Sequence, residues 1–365
     1  MAKDIFRTAV IGVIAGALMP IAAKGQCSEW VQRTPGMSPS ARGNTGTAYH
    51  PSNGVVLFGG GCGTLVGDTW AWNGSSWSKL AQSGPSARSA HRMVYDAARN
   101  EIVLFGGNDG SYRNDMWRWS GSGWQEIPAS GSWPSVRAHH GLAYDESRQV
   151  VVLFGGWDGG SYLGDTWEWD GSSWTKVSQS GPSAREGHAM AFHPSNGIVL
   201  FGGGAGSPDN ETWAWNGTIW TKLTGAGNQP LPQRYWNAMA YAASLQRIVL
   251  FGGGDANTNM NDTWSWDGAR WCVICANDSG QDPTPRFNHT MAFDPARGKT
   301  ILFGGDITQP NCLADTWEFP VSAAPACIPT VSTWGLAVLA LVLMIGGTSV
   351  LGRRRAAGRT PIETA

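Results

Sequence analysis

The run Val150-Val-Val-Leu-Phe-Gly-Gly156, followed after eight intervening residues by Asp165-Thr-Trp-Glu-Trp-Asp-Gly-Ser-Ser-Trp174, decides the fold. An unbroken aliphatic run suits a strand covered on both faces, and the large–small alternation of Asp-Thr-Trp-Glu-Trp suits a second strand. Asp170-Gly171 is a tight hairpin signal leading into a third strand opened by Trp174. The pattern repeats. Phe-Gly-Gly stands at Phe58, Phe105, Phe154, Phe201, Phe251 and Phe303, with a period of 47–52 residues. A Trp follows 12 to 14 residues later, at Trp70, Trp117, Trp167, Trp213, Trp264 and Trp317. Upstream of each Phe-Gly-Gly lies another strand-like segment, such as His188-Ala-Met-Ala-Phe192. Each unit therefore reads as four short strands, A to D. One such sheet cannot stand alone, so the units must pack on each other, and the period falls in the range of propeller blades.

Composition agrees. The chain has 365 residues, of which 50 are Gly, 20 Pro and 21 Trp, and only 15% are charged. So many helix breakers exclude a helical bundle, 42% hydrophobic content excludes a disordered chain, and a net charge of −1 gives no footprint for nucleic acid. Seventeen of the tryptophans occupy repeat positions and so read as packing residues. The sixth unit stops after strand C at Asp315-Thr-Trp-Glu-Phe319, whereas Ser28-Glu-Trp-Val31 matches strand D of the other units. The N-terminal strand is expected to complete the last blade and close a ring of six, which removes both sheet edges.

The ends differ from the body. Lys3 and Arg7 precede an uncharged stretch from Thr8 to Ala23, read as a signal peptide over 1–25. Val331 to Gly352 is uncharged and mostly apolar and is followed by Arg353-Arg-Arg355, read as a transmembrane helix with its basic flank in the cytoplasm. The expected organisation is a signal peptide over 1–25 and a propeller over 26–322. A sorting, membrane and basic segment follows over 323–356, then a cytoplasmic tail over 357–365.

Arg-x-x-His, Tyr-Asp, Val-Leu-Phe-Gly-Gly and Asp-Thr-Trp-x-Trp, in that order over about 28–320, resemble the kelch repeat. The resemblance implies an all-β, six-bladed kelch-type β-propeller. Ile328-Pro329-Thr330-Val-Ser-Thr-Trp334-Gly335, with the apolar span and arginines behind it, is similar to the IPTL-CTERM protein-sorting signal of Gram-negative bacteria. Val331 stands where that family usually has Leu, and Thr333 where it often has an acidic residue. That likeness implies an inner-membrane-anchored precursor, an exosortase-type sorting protease as partner, and delivery to the cell surface or exterior.

Six cysteines, at 27, 62, 272, 275, 312 and 327, suit an oxidising compartment and allow 15 pairings. Cys62 and Cys312 fall in equivalent B–C loops of blades 1 and 6, with Cys27 near the same junction, so at least one bridge is expected there. Cys272-Val-Ile-Cys275 reads as structural disulfide chemistry rather than as a redox pair or half a metal site.

Arg-x-x-His recurs at Arg88–His91, Arg137–His140, Arg185–His188 and Arg286–His289, spread around an axis rather than converging, so no metal and no cofactor is expected. Asp68, Asp115, Asp165, Asp262 and Asp315 open strand C in turn and read as turn or backbone partners, not general acids. Galactose oxidase and related copper enzymes carry kelch propellers. That likeness implies a Cys-linked Tyr and two His ligands, partly from a domain that no segment here is long enough to supply. Function is expected on the face bearing the long B–C and D–A loops, at residues that depart from the repeat. These are Tyr112, Trp133, Trp157, Asp158, Tyr162, Arg234, Tyr235 and Trp236. The preferred reading is a surface-displayed, monomeric, non-enzymatic module for a glycan or protein. An extracellular galactose-oxidase-like or lyase-type enzyme with its site at the channel mouth is the alternative.

Overall fold

The computed structural model describes residues 30–80, 84–178, 180–223, 231–255, 257–275, 282–308 and 311–320. The signal segment, Cys27, the sorting motif and the apolar span from Val331 lie outside these residues.

Six four-stranded antiparallel sheets each run A-B-C-D in space. Blade 3 is representative, with strands Gly141–Asp145, Val150–Trp157, Tyr162–Trp169 and Trp174–Ser178. The A strands contact one another in a closed cycle, blade 6 (Thr290–Asp294) against blade 1 (Gly46–His50) included. The fourth strand of blade 6 is Val31–Arg33, antiparallel to Thr316–Phe319 with Gln32 opposite Trp317. The N-terminal strand thus closes the ring as expected. The repeat histidine precedes strand A by one residue instead of opening it: Ala189, not His188, is the first residue of that strand in blade 4.

The core lies between blades. Strand B is buried on both faces, as Val151, Val152, Leu153 and Phe154 show, and each face packs against the neighbouring sheet. Indole N–H groups stitch the seams. The strand D tryptophan donates to a strand C threonine of the preceding blade in Trp77→Thr316 (2.8 Å), Trp124→Thr69 (2.9 Å), Trp220→Thr166 (2.9 Å), Trp271→Thr212 (2.9 Å) and Trp30→Thr263 (3.0 Å). Blade 2 carries Met116 where the others carry Thr, and the buried N–H of Trp174 there has no partner.

The closing seam is also covalent. Cys62 and Cys312 form a disulfide between the B–C loops of blades 1 and 6, with Cα atoms 5.9 Å apart. Cys272, in strand D of blade 5 (Trp271–Cys275), is disulfide-bonded as well.

Candidate functional site

Two repeat elements that look separate in sequence meet in every blade. The arginine of Arg-x-x-His is fully buried and grips the carboxylate at the start of strand C. The pairs are Arg42–Asp68 (2.6 Å), Arg88–Asp115 (2.5 Å), Arg137–Asp165 (2.8 Å), Arg234–Asp262 (2.7 Å) and Arg286–Asp315 (2.7 Å). In blade 4 Arg185 divides itself between Asp209 (3.3 Å) and Glu211 (3.0 Å). The same carboxylates accept the indole N–H of the first strand C tryptophan, as in Trp167→Asp165 (2.7 Å). Burial works upward on the pKa of Asp165, but the hydrogen bonds and charge of Arg137 outweigh it and hold the group below the usual carboxylate range. These acids are committed to the scaffold.

The histidines are equally committed. His91, His140, His188 and His289 wedge between blades, edge-on to Phe58, Phe105, Phe154 and Phe251 at 5.4–5.6 Å between ring centroids. Burial drives each imidazole below its ordinary pKa, assisted by the neighbouring arginines, and His289 falls to about 3. Among the described residues no three His, Cys, Asp or Glu side chains converge as metal ligands. The donor set that a galactose-oxidase-like copper site needs does not fit this arrangement.

At the mouth of the axis the six D–A loops meet. Asn44, Ala90, His139, Gly187, Trp236 and Asn288 each adopt φ between 54° and 67°. Each amide donates to the carbonyl of the next, at 2.7–3.2 Å, so that six hydrogen bonds form a closed cycle. A left-handed backbone costs a non-glycine residue about 1 kcal/mol or more, so the cycle of bonds is what holds it.

Beside this collar the structure gathers most of the repeat-breaking aromatics. Trp157 and Tyr162 pack at a tilt with 4.6 Å between centroids, Tyr235 and Trp236 at 5.0 Å, and Trp236 and Phe287 at 5.6 Å. Tyr112 lies against Gly159, where an added Cβ would come within 2.7 Å of its ring. All of these rings are half-buried. Their polar tips set them apart: Trp157, Tyr162, Tyr235 and Trp236 make no side-chain hydrogen bond among the described residues, whereas most core tryptophans have their N–H engaged. Glu186, in the D–A loop of blade 4, was not singled out by the sequence pattern. It is half-buried without an ion-pair partner among the described residues, and desolvation raises its pKa. Burial raises the pKa of Tyr235, and the nearby Tyr162 and Glu186 add to the shift.

Three expected members fall differently. Arg234 is locked on Asp262 beneath the surface. Trp133 packs on Trp169 at 6.0 Å and donates to the Asn114 carbonyl, away from the arc. Asp158 caps its own loop, accepting from the amides of Gly160 (2.8 Å) and Ser161 (2.7 Å), which lower its pKa.

The KLHDC2/KLHL20/DRC7 Kelch-repeats domain matches residues 72–232, from the end of strand C in blade 1 to the approach to blade 5. The chain folds as a six-bladed β-propeller, and this stretch of it is similar to a kelch-repeat domain. Comparison with curated proteins gives no match. In this propeller the repeat's arginines and strand C carboxylates are spent on one another within the scaffold.

Proposed function

We propose that this kelch propeller is an exported, surface-displayed binding module whose B–C/D–A face takes a carbohydrate. The observation that carries the reading is the arc from Trp157 and Tyr162 through Tyr235 to Trp236 and Phe287: tilted, mutually packed rings whose polar tips have no hydrogen-bond partner among the described residues, with the Glu186 carboxylate, also unpaired among them, nearby. Aromatic faces cover the C–H faces of a sugar ring, while indole N–H, phenol and carboxylate groups pair with its hydroxyls. The signal-like stretch at 1–25 and the sorting-like segment with Ile328, Pro329, Thr330, Trp334 and Gly335 support display at the surface of a Gram-negative cell, through a membrane-anchored precursor.

The test is a glycan array probed with the wild-type chain, Trp157→Ala and Trp236→Ala, with thermal unfolding alongside. Both rings are half-exposed, so the variants should keep their melting temperature and lose binding by tenfold or more. Retained glycan binding in both variants would overturn the assignment of the face. Binding to a protein partner but to no glycan, lost in the same variants, would keep the face and replace the ligand class.

A further inference from the structure

The six repeat arginines inside the propeller are each held by a carboxylate; one more interior arginine, Arg92, has none among the described residues. Arg92 opens strand A of blade 2, where the other blades carry Gly46, Gly141, Ala189, Ala238 and Thr290. All six line the axial channel, a cavity of about 350 Å³. The only hydrogen bond Arg92 makes among the described residues is from Nη1 to the His91 carbonyl, at 3.2 Å. No described carboxylate lies within ion-pairing distance. The side chain is enclosed by protein, the surface it keeps faces the lumen, and burial lowers its pKa only to about 10, so it remains a cation at neutral pH.

No described group pairs with that charge: Glu146, the acid that also lines the channel, follows strand A of blade 3 at the opposite end from Arg92, and no ion pair joins the two. The charges that Arg92 opposes are those of His91, His139, His140 and His188, all of them held neutral by burial. Strand A carries acids at its far end, about 13 Å away at ~3.3 Å per residue. There Asp96, Asp145 and Asp294 pair with Arg99, Arg148 and Arg297. An enclosed charge without a counterion is costly, and a channel of this size has room to admit one.

We propose that the axial channel holds a small monocarboxylate, its two oxygens paired with the Arg92 guanidinium and its short body against Met93 and Met190. One cation matches one negative charge, whereas a phosphate dianion would need a second cation that the neutral imidazoles do not supply. The fork of the guanidinium matches a carboxylate in plane, and the apolar wall favours a short aliphatic body over a bare halide. The site is separate from the aromatic arc and does not depend on what that face binds.

The experiment is thermal unfolding and titration calorimetry of the purified full chain with sodium propionate, at fixed ionic strength. Propionamide and inorganic phosphate serve as controls. Propionate should bind one to one and raise the melting temperature by a few degrees, saturably, while neither control does so. Arg92→Ala installs the residue that blades 4 and 5 already carry. It should melt no lower than wild type without propionate and gain nothing when propionate is added. Arg92→Lys keeps the charge but loses the fork, and should respond with at least tenfold weaker affinity. An equal response in wild type and Arg92→Ala, no saturable response in wild type, or a phosphate response as large as that to propionate would each overturn the proposal. Should Arg92→Ala fail to fold, the wild-type calorimetry and Arg92→Lys decide alone.

Discussion

Trp77 and Trp174 occupy the same place in two blades, differing in one contact. Both are 2% exposed. Both pack on a strand C tryptophan (5.5 and 5.7 Å) and on the Phe-Gly-Gly phenylalanine of the preceding blade (5.3 and 5.5 Å). Trp77 donates to Thr316, whereas Trp174 meets the blade that carries Met116 and its N–H is unsatisfied. Replacing either ring by Phe removes the same apolar area, so the packing loss cancels in the comparison. Trp77→Phe in addition breaks a buried hydrogen bond and strands the Thr316 hydroxyl, a loss of about 1–2 kcal/mol. Trp174→Phe removes an unpaired buried donor and recovers about 1 kcal/mol or more. Trp77→Phe should therefore be the more damaging by at least about 2 kcal/mol. Urea unfolding followed by circular dichroism measures the gap, with equal m-values as the check that only stability has changed. Equal losses, or a larger loss in Trp174→Phe, would refute the claim that seam hydrogen bonds are worth their geometry here.

Stability should also decline on acidification well before the carboxylates titrate. His91, His140, His188 and His289 have folded pKa values pushed down by burial, so the unfolded chain binds their protons first. Their contribution is complete above the unfolded value of about 6.5 and is lost progressively as pH falls below it. Denaturant unfolding at a series of pH values should show that slope, and His188→Asn, which copies Asn237 of blade 5, should flatten it by about one proton. An unchanged slope would place the proton uptake elsewhere. The Cys62–Cys312 bridge joins the first and last blades, and Cys62→Ser should lower stability by about 2–5 kcal/mol, read as a drop in melting temperature under non-reducing conditions. A variant as stable as wild type would mean that the N-terminal strand closes the ring unaided.

Much of this architecture was legible because each blade repeats its packing residues. The Phe-Gly-Gly period gave the blade count, the orphan strand D at Trp30 gave the closure, and the matched loop positions of Cys62 and Cys312 gave the bridge. The pairing of Arg137 with Asp165 was not legible. The two lie 28 residues apart in motifs that each look self-sufficient, and only the return of strand C beside the D–A loop brings them together. That same blindness grouped Arg234 with its neighbours Tyr235 and Trp236, although the side chain turns inward. Arg92 escaped notice for the opposite reason. A polar residue at the start of a strand is ordinary, and its oddity shows only when its five counterparts are known to encircle an axis.

The collar of six amides at the channel mouth constrains the main chain, while the side chains it carries differ from blade to blade. Asn44, Ala90, His139, Gly187, Trp236 and Asn288 share one backbone geometry and almost nothing else. Ala90 and Asn288 are buried, and a Cβ at Gly187 would meet the Trp236 indole at 3.0 Å, so those three vertices are set by packing. Asn44, His139 and Trp236 keep some surface, and at those three vertices any residue with an amide to donate can redraw the entrance while the number of vertices stays fixed, because a seventh unit would have to break the circle.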